Sequence, residues 1–127
     1  MKWIIAGTRT YKDSSKIYKI LLSCTKKLGI PEEVVTGGAS GVDSIAHSWA
    51  RNWRIRTRLF YPDWSIGRSA GPIRNRQMAE YVKGNGLLIL IWDGRSRGSA
   101  NMKKTAEKYG LQIYEYLIDQ SGKEKKE

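Results

Sequence analysis

The sequence predicts one α/β domain, a three-layer sandwich on a five-stranded, mainly parallel sheet. Three observations predict it. Five short apolar runs alternate with four segments of helical periodicity. Every passage from one run to the next goes through a helix, as parallel strands joined by right-handed crossovers require. The 127 residues are 40% hydrophobic and 10% aromatic, enough for one core and unlike a disordered chain.

The first strand is read at 3–6 (Trp-Ile-Ile-Ala), followed by a loop from Gly7 to Asp13. Ser14 or Ser15 is placed to cap a helix to about Leu28, with Ile17, Ile20, Leu21, Cys24 and Leu28 on one face. Gly29 ends it and Pro31 prevents continuation. Val34-Val35-Thr36 is the second strand, and Gly37 to Gly41 turns directly into a helix over 42–53. The third strand is 56–61, followed by a loop over 62–69. Pro72 suits the first turn of a helix to about Val82. The fourth strand is 87–92; after the loop 93–98, Ser99 is placed to cap a helix to about Tyr109. The last strand is 111–117, so the domain spans 1–118, and residues 119–127 read as a polar, disordered tail.

Composition excludes several function classes. Cys24 and His47 are the only residues of their kinds, which excludes an intrachain disulfide, a cysteine metal cluster and a multi-histidine site. No metal or cofactor is expected. No apolar run approaches a membrane span, and the start is too short for a signal peptide, so the expected location is cytoplasmic. The net charge of +11 favours phosphate-bearing partners, and the tail contributes nothing to it. Arg51, Arg54, Arg56 and Arg58 read as a solvated face. Arg9, Arg68, Arg74, Arg76, Arg95 and Arg97 fall in or beside loops, where arginine makes two-pronged contacts with phosphate.

In parallel sheets, ligands bind beyond the carboxyl ends of the strands, and the unusual sequence lies in the loops found there. Thr36-Gly37-Gly38-Ala39-Ser40-Gly41-Val42-Asp43 follows a β-branched strand and opens a helix, so phosphate cradling is expected of it. It is neither a Walker A loop nor Gly-x-Gly-x-x-Gly. Asp43 would repel a phosphate and is assigned to a sugar; His47, one turn later, is assigned a structural role hydrogen-bonded to it. Gly7, Thr8 and Arg9 form the first loop. Asp63 and Trp64 lie in the third, where Trp64 is placed to stack on a base. Gly71, Arg74 and Asn75 open the third helix, where a cation opposes the helix dipole and an anion in the cleft would explain Arg74. Arg74→Ala is therefore expected to abolish binding without unfolding. Asp93, Gly94, Ser96, Gly98 and Ser99 complete the set. Trp49 and Trp53, beside Ile45, form a candidate apolar stripe for a dimer or tetramer.

These motifs together resemble the SLOG superfamily, which joins DNA-processing protein A (Smf) to the Lonely Guy enzymes, and within it the YspA-type branch. The matching residues are Gly7-Thr8-Arg9-Thr10-Tyr11 with Asp13, the 36–43 segment with Ala46, Trp49 and Ala50, Pro62-Asp63-Trp64 with Gly67, Ala70 to Asn75 with Met78, and Trp92-Asp93-Gly94 with Ser96, Gly98 and Ser99. The resemblance implies a Rossmann-like fold that binds a nucleotide-derived ligand, such as an ADP-ribose-like or cyclic-nucleotide signal. Lonely Guy enzymes carry Pro-Gly-Gly-x-Gly-Thr-x-x-Glu; the loop from Asp93 to Met102 lacks that Glu. The leading expectation is thus a sensor or a sequestering protein, for instance a phage-encoded sponge acting in the host cytoplasm. One alternative is a nucleotide hydrolase using Asp43, Asp63 or Asp93. Another is a single-stranded DNA binder that stacks bases on Trp64 and Tyr11 and tracks phosphates with Arg51 to Arg58.

Overall fold

The computed structural model describes residues 1–119; most of the expected tail, 120–127, lies outside the described residues. The element order is β1 (Lys2–Gly7), α1 (Ser14–Leu28), β2 (Glu33–Thr36), α2 (Val42–Asn52), β3 (Arg56–Leu59), a 3-10 turn (Trp64–Ile66), α3 (Ala70–Val82), β4 (Gly86–Trp92), α4 (Arg97–Lys108) and β5 (Gln112–Leu117). The five strands form one sheet in the order β3-β2-β1-β4-β5, every pair parallel. This is the Rossmann-like α/β arrangement the sequence predicts.

The pleat divides the core. Trp3, Ile5, Val34, Leu87, Ile89 and Ile91 point to one face and pack under α1 and α2. Ile4, Ala6, Val35, Leu88, Leu90 and Trp92 point to the other, under α3 and α4. Successive residues alternate between faces because side chains in a strand repeat every two positions. Both faces of the central strands are covered, so β4 reads as a continuous apolar run. The strand order reverses at β1, which pairs with β2 on one side and β4 on the other. Connections leave β1 and β4 in opposite directions, and that opens a crevice between their carboxyl ends.

Four local expectations are corrected. The cap of α1 is Asp13, whose carboxylate accepts from the Ser15 and Lys16 amides. The N-cap of α4 is Ser96, and Ser99 lies buried inside its first turn. Phe60 and Tyr61 lie beyond the end of β3, and the expected loop over 62–69 contains the 3-10 turn capped by Asp63. Trp49 and Trp53 do not form an exposed stripe. Trp49 is 2% exposed and stacks on Trp3, ring centroids 6.3 Å apart. Such a pair adds about 0.5–1.5 kcal/mol beyond its buried area. Trp53 stays half-exposed at the helix end, tilted on Trp49.

Candidate functional site

The crevice holds a cleft of about 320 Å³. Its first wall is the β1–α1 loop: Gly7, Thr8 and Arg9. Gly7 is fixed by packing, since a Cβ there would lie 1.8 Å from the Ile91 carbonyl. Thr8 is buried; its hydroxyl accepts from the Asp93 amide at 3.0 Å and meets the Ser96 hydroxyl at 3.3 Å. The loops after β1 and β4 are thereby tied together at the mouth.

The opposite wall is Asp93, Ser96, Gly98 and Ser99. Asp93 Oδ1 accepts from the Arg95 and Ser96 amides and from the Ser96 hydroxyl. Partial burial raises its pKa, but these donors outweigh that and hold the carboxyl below its ordinary value. Gly94, at φ +82°, lets this turn close. No side chain caps α4. Arg97, Gly98 and Ser99, its first residues, line the cleft, and amides at a helix start have no partner within the helix. A Cβ on Gly98 would meet nothing within 4 Å.

The inner wall is Asp43, Arg74 and Asn75, with Met78, Met102 and Ala6 as an apolar floor. Asp43 Oδ2 accepts from the Gly37 amide at 3.0 Å and the Ala39 amide at 3.3 Å. Arg74 Nη1 donates to the Gly37 carbonyl at 2.5 Å and to the Phe60 carbonyl at 3.5 Å. Gly37 is thus held at both ends, its N–H by Asp43 and its C=O by Arg74. A Cβ on it would lie 2.2 Å from Arg74 Nη1. Burial pushes the Asp43 carboxyl up to about 6, against the pull of the Ala39 and Gly37 amides and the Arg74 charge. Arg74 Nε donates to Asn75 Oδ1, and Asn75 Nδ2 donates to Asn101 Oδ1 and the Gly98 carbonyl. This chain links the glycine loop to the start of α4.

A second recess of about 240 Å³ shares Arg9, Ala39 and Arg74 with the cleft and adds Gly37, Gly38, Ser40, Tyr61 and Trp64. Trp64 is 54% exposed, and the Arg9 guanidinium lies 5.7 Å from its ring centre. The ring of Tyr61 covers Gly38, where a Cβ would meet it at 2.4 Å.

The remaining expected residues line neither space. A Cβ on Gly41, at φ +72°, would strike the Thr8 and Arg9 carbonyls, so this glycine lets two loops cross. Val42 is core, its amide given to the Thr8 carbonyl. Asp63 caps the 3-10 turn through Ser65, and Gly71 lies beneath Trp64. Tyr11 is 2% exposed and belongs to the core, which corrects its assignment as a stacking platform. The expected Asp43–His47 hydrogen bond does not form; His47 Nδ1 is buried with no partner. Thr10 and Met78, matched by the family motifs but not assigned to the site, line the cleft; Met102 in the cleft and Tyr61 in the recess were missed. Tyr61 had a signal, an aromatic at the end of a strand before Pro62; Met102 had none.

Two comparisons bear on this architecture. The chain is 29% identical over 119 residues to the Gene 61 protein of Mycobacterium phage D29, covering 89% of this chain and 94% of that protein. A family model described as "YspA, cpYpsA-related SLOG family" matches residues 1–67. That segment supplies the β1–α1 loop and the glycine loop, which meet at the cleft, and Trp64 of the adjoining recess. The chain belongs to the YspA, cpYpsA-related SLOG family.

Proposed function

We propose that this protein captures a small phosphorylated nucleotide or nucleotide-derived signal across the carboxyl ends of β1 and β4. The observation that carries the reading is the start of α4. Its uncapped amides and the bare Cα of Gly98 face a cleft that also holds Arg9, Arg74 and Arg97. Free amides at a positive helix end, beside arginines, bind a phosphate. The adjoining recess offers Trp64 and Tyr61 as faces for a base. Binding without turnover fits the carboxylates better than hydrolysis does. Asp63 is committed to its cap, Asp93 to its own turn, and Asp43 to the glycine loop.

The test is a thermal-shift panel at fixed salt: nucleoside monophosphates, ADP-ribose, NAD, cyclic di- and trinucleotides, and a short single-stranded DNA. A ligand at about a hundred times its Kd stabilises by about 2.7 kcal/mol, a rise of roughly 10 °C for a chain of this size. Recovery of the bound compound unchanged by mass spectrometry separates capture from turnover. A shift with the DNA alone, or with no compound, refutes the reading.

A further inference from the structure

Against the glycine loop, meeting the cleft at Asp43 and Ala39, lies a solvent-open chamber of about 340 Å³. Thr36, Asp43, Ser44, His47, Leu59 and Tyr61 line it. Two of its side chains carry unmet hydrogen-bonding capacity. Thr36 is 1% exposed, and its Oγ1 has no partner; neither has the buried Nδ1 of His47. Of the three buried side-chain polar atoms without partners among the described residues, two belong to this chamber. Leaving such an atom unpaired costs about 1–3 kcal/mol, and each instance in a native fold calls for an explanation.

We propose that this chamber is a second subsite that takes the vicinal hydroxyls of a ribosyl group. The lining selects that chemistry. No lysine or arginine lines the chamber to offset Asp43, as arginines do in the front cleft, which disfavours an anion; an apolar group would leave Thr36 and His47 unmatched. A sugar hydroxyl both donates and accepts. It can give a proton to a carboxylate or an imidazole nitrogen and receive one from a threonine hydroxyl. Asp43 and Ala39 are shared between the chamber and the front cleft, and Tyr61 is shared between the chamber and the aromatic recess. In this proposal one ligand runs along the edge that Asp43 and Ala39 share, with its phosphate at α4 and its sugar beside residues 37–40. Assigning the sugar to a phosphorylated ligand rests on the reading of the front cleft; the sugar site itself does not.

The test uses the intact chain, nuclear magnetic resonance and four probes: inorganic phosphate, ribose 5-phosphate, 2-deoxyribose 5-phosphate and free ribose. His47 is the only histidine, so its ring signals identify themselves. The Gly98 and Ser99 amides report on the front cleft. Ribose 5-phosphate is expected to move both reporters and to bind about tenfold tighter than the deoxy sugar, the loss of one hydrogen bond to a buried partner. Thr36→Val is expected to remove that preference and to keep or raise the melting temperature, because it deletes an unpaired hydroxyl. If the amides move with every phosphate while His47 stays still, the subsite is refuted and the front cleft stands. If free ribose moves His47 while the amides ignore phosphate, the subsite stands and the front reading falls. Equal affinity for the two sugar phosphates, a still His47 with all probes, or a marked loss of stability in Thr36→Val overturns the proposal.

Discussion

Arg74→Ala is a stability variant, because the guanidinium that the sequence assigns to a ligand is built into the wall. Arg74 is 7% exposed and donates to the Gly37 carbonyl, the Phe60 carbonyl and Asn75. Its removal leaves the buried Asp43 carboxylate without its nearby cation. Stranding the buried partners of Arg74 costs about 1–3 kcal/mol each, and the weakened balance at Asp43 adds to it, about 3–5 kcal/mol in all. At about 4 °C per kcal/mol for a chain of this size, the melting temperature falls by roughly 12–20 °C. The loss depends on pH. Asp43 rises from 3.8 to about 6 on folding, so the folded state holds this proton more tightly than the unfolded one. Such a group contributes most below about pH 4, and its contribution is lost as pH rises through 6, by about 3 kcal/mol in all. Arg74 is one of the groups that limit this rise, so Arg74→Ala raises the Asp43 pKa further. Its penalty is smaller at about pH 5 than at about pH 8. Asp43→Asn in the same chain removes the unpaired charge and restores part of the stability, a coupling of about 1–3 kcal/mol. Urea and thermal unfolding, followed by tryptophan fluorescence at both pH values, measure all three variants. A penalty independent of pH, with additive double-variant losses, refutes the clamp.

The remaining predictions follow from the same geometry. Arg9→Ala, at an exposed position lining both cleft and recess, leaves stability within about 0.5 kcal/mol and weakens about tenfold, by calorimetry, the binding of whichever panel compound raises the melting temperature. Gly41→Ala forces a Cβ to 2.3 Å from the Thr8 carbonyl at φ +72° and lowers stability by at least about 2 kcal/mol, read by urea unfolding. Asp13→Ala removes the cap of α1 and costs about 1 kcal/mol, roughly 4 °C by calorimetric scanning, with binding unchanged. Gly98→Ala keeps or raises the melting temperature, since alanine is favoured over glycine in a helix by about 1 kcal/mol, and lowers phosphate affinity.

Much of the fold was legible because its signals are local. The run Leu87 to Trp92, the spacing from Ile17 to Cys24, and the stops at Gly29 and Pro31 each lie within one element. The structure moves their ends by only one or two residues. What was illegible depends on pairs distant in sequence. Trp49 has helical spacing to Trp53, and only the sheet supplies Trp3 to draw it inward. Tyr11 follows an exposed loop motif, yet it is buried beneath α1 and α2. Arg74 breaks the dipole rule for helix starts; the sequence registers that anomaly without showing that Asp43, thirty-one positions earlier, is the nearby anion (74 − 43).

The glycines show the limit most clearly. Glycine-rich turns before a helix suggest close approach of a phosphate, but glycine is required wherever any atom fills the place of Cβ. At Gly37 that atom belongs to Arg74, at Gly38 to Tyr61, and at Gly41 to the Thr8 and Arg9 backbone. Each of these three is required by a protein atom, so these glycines are not by themselves a sign of a phosphate. Gly98 differs. It lies in a helix at a negative φ, no protein atom stands within 4 Å of its missing Cβ, and it borders the cleft. Folding alone would favour alanine there. The glycine whose absence of a side chain the protein does not use is the one that points to a ligand, which is why stability rises and affinity falls in Gly98→Ala if the anion sits at α4, whereas affinity stays unchanged if it does not.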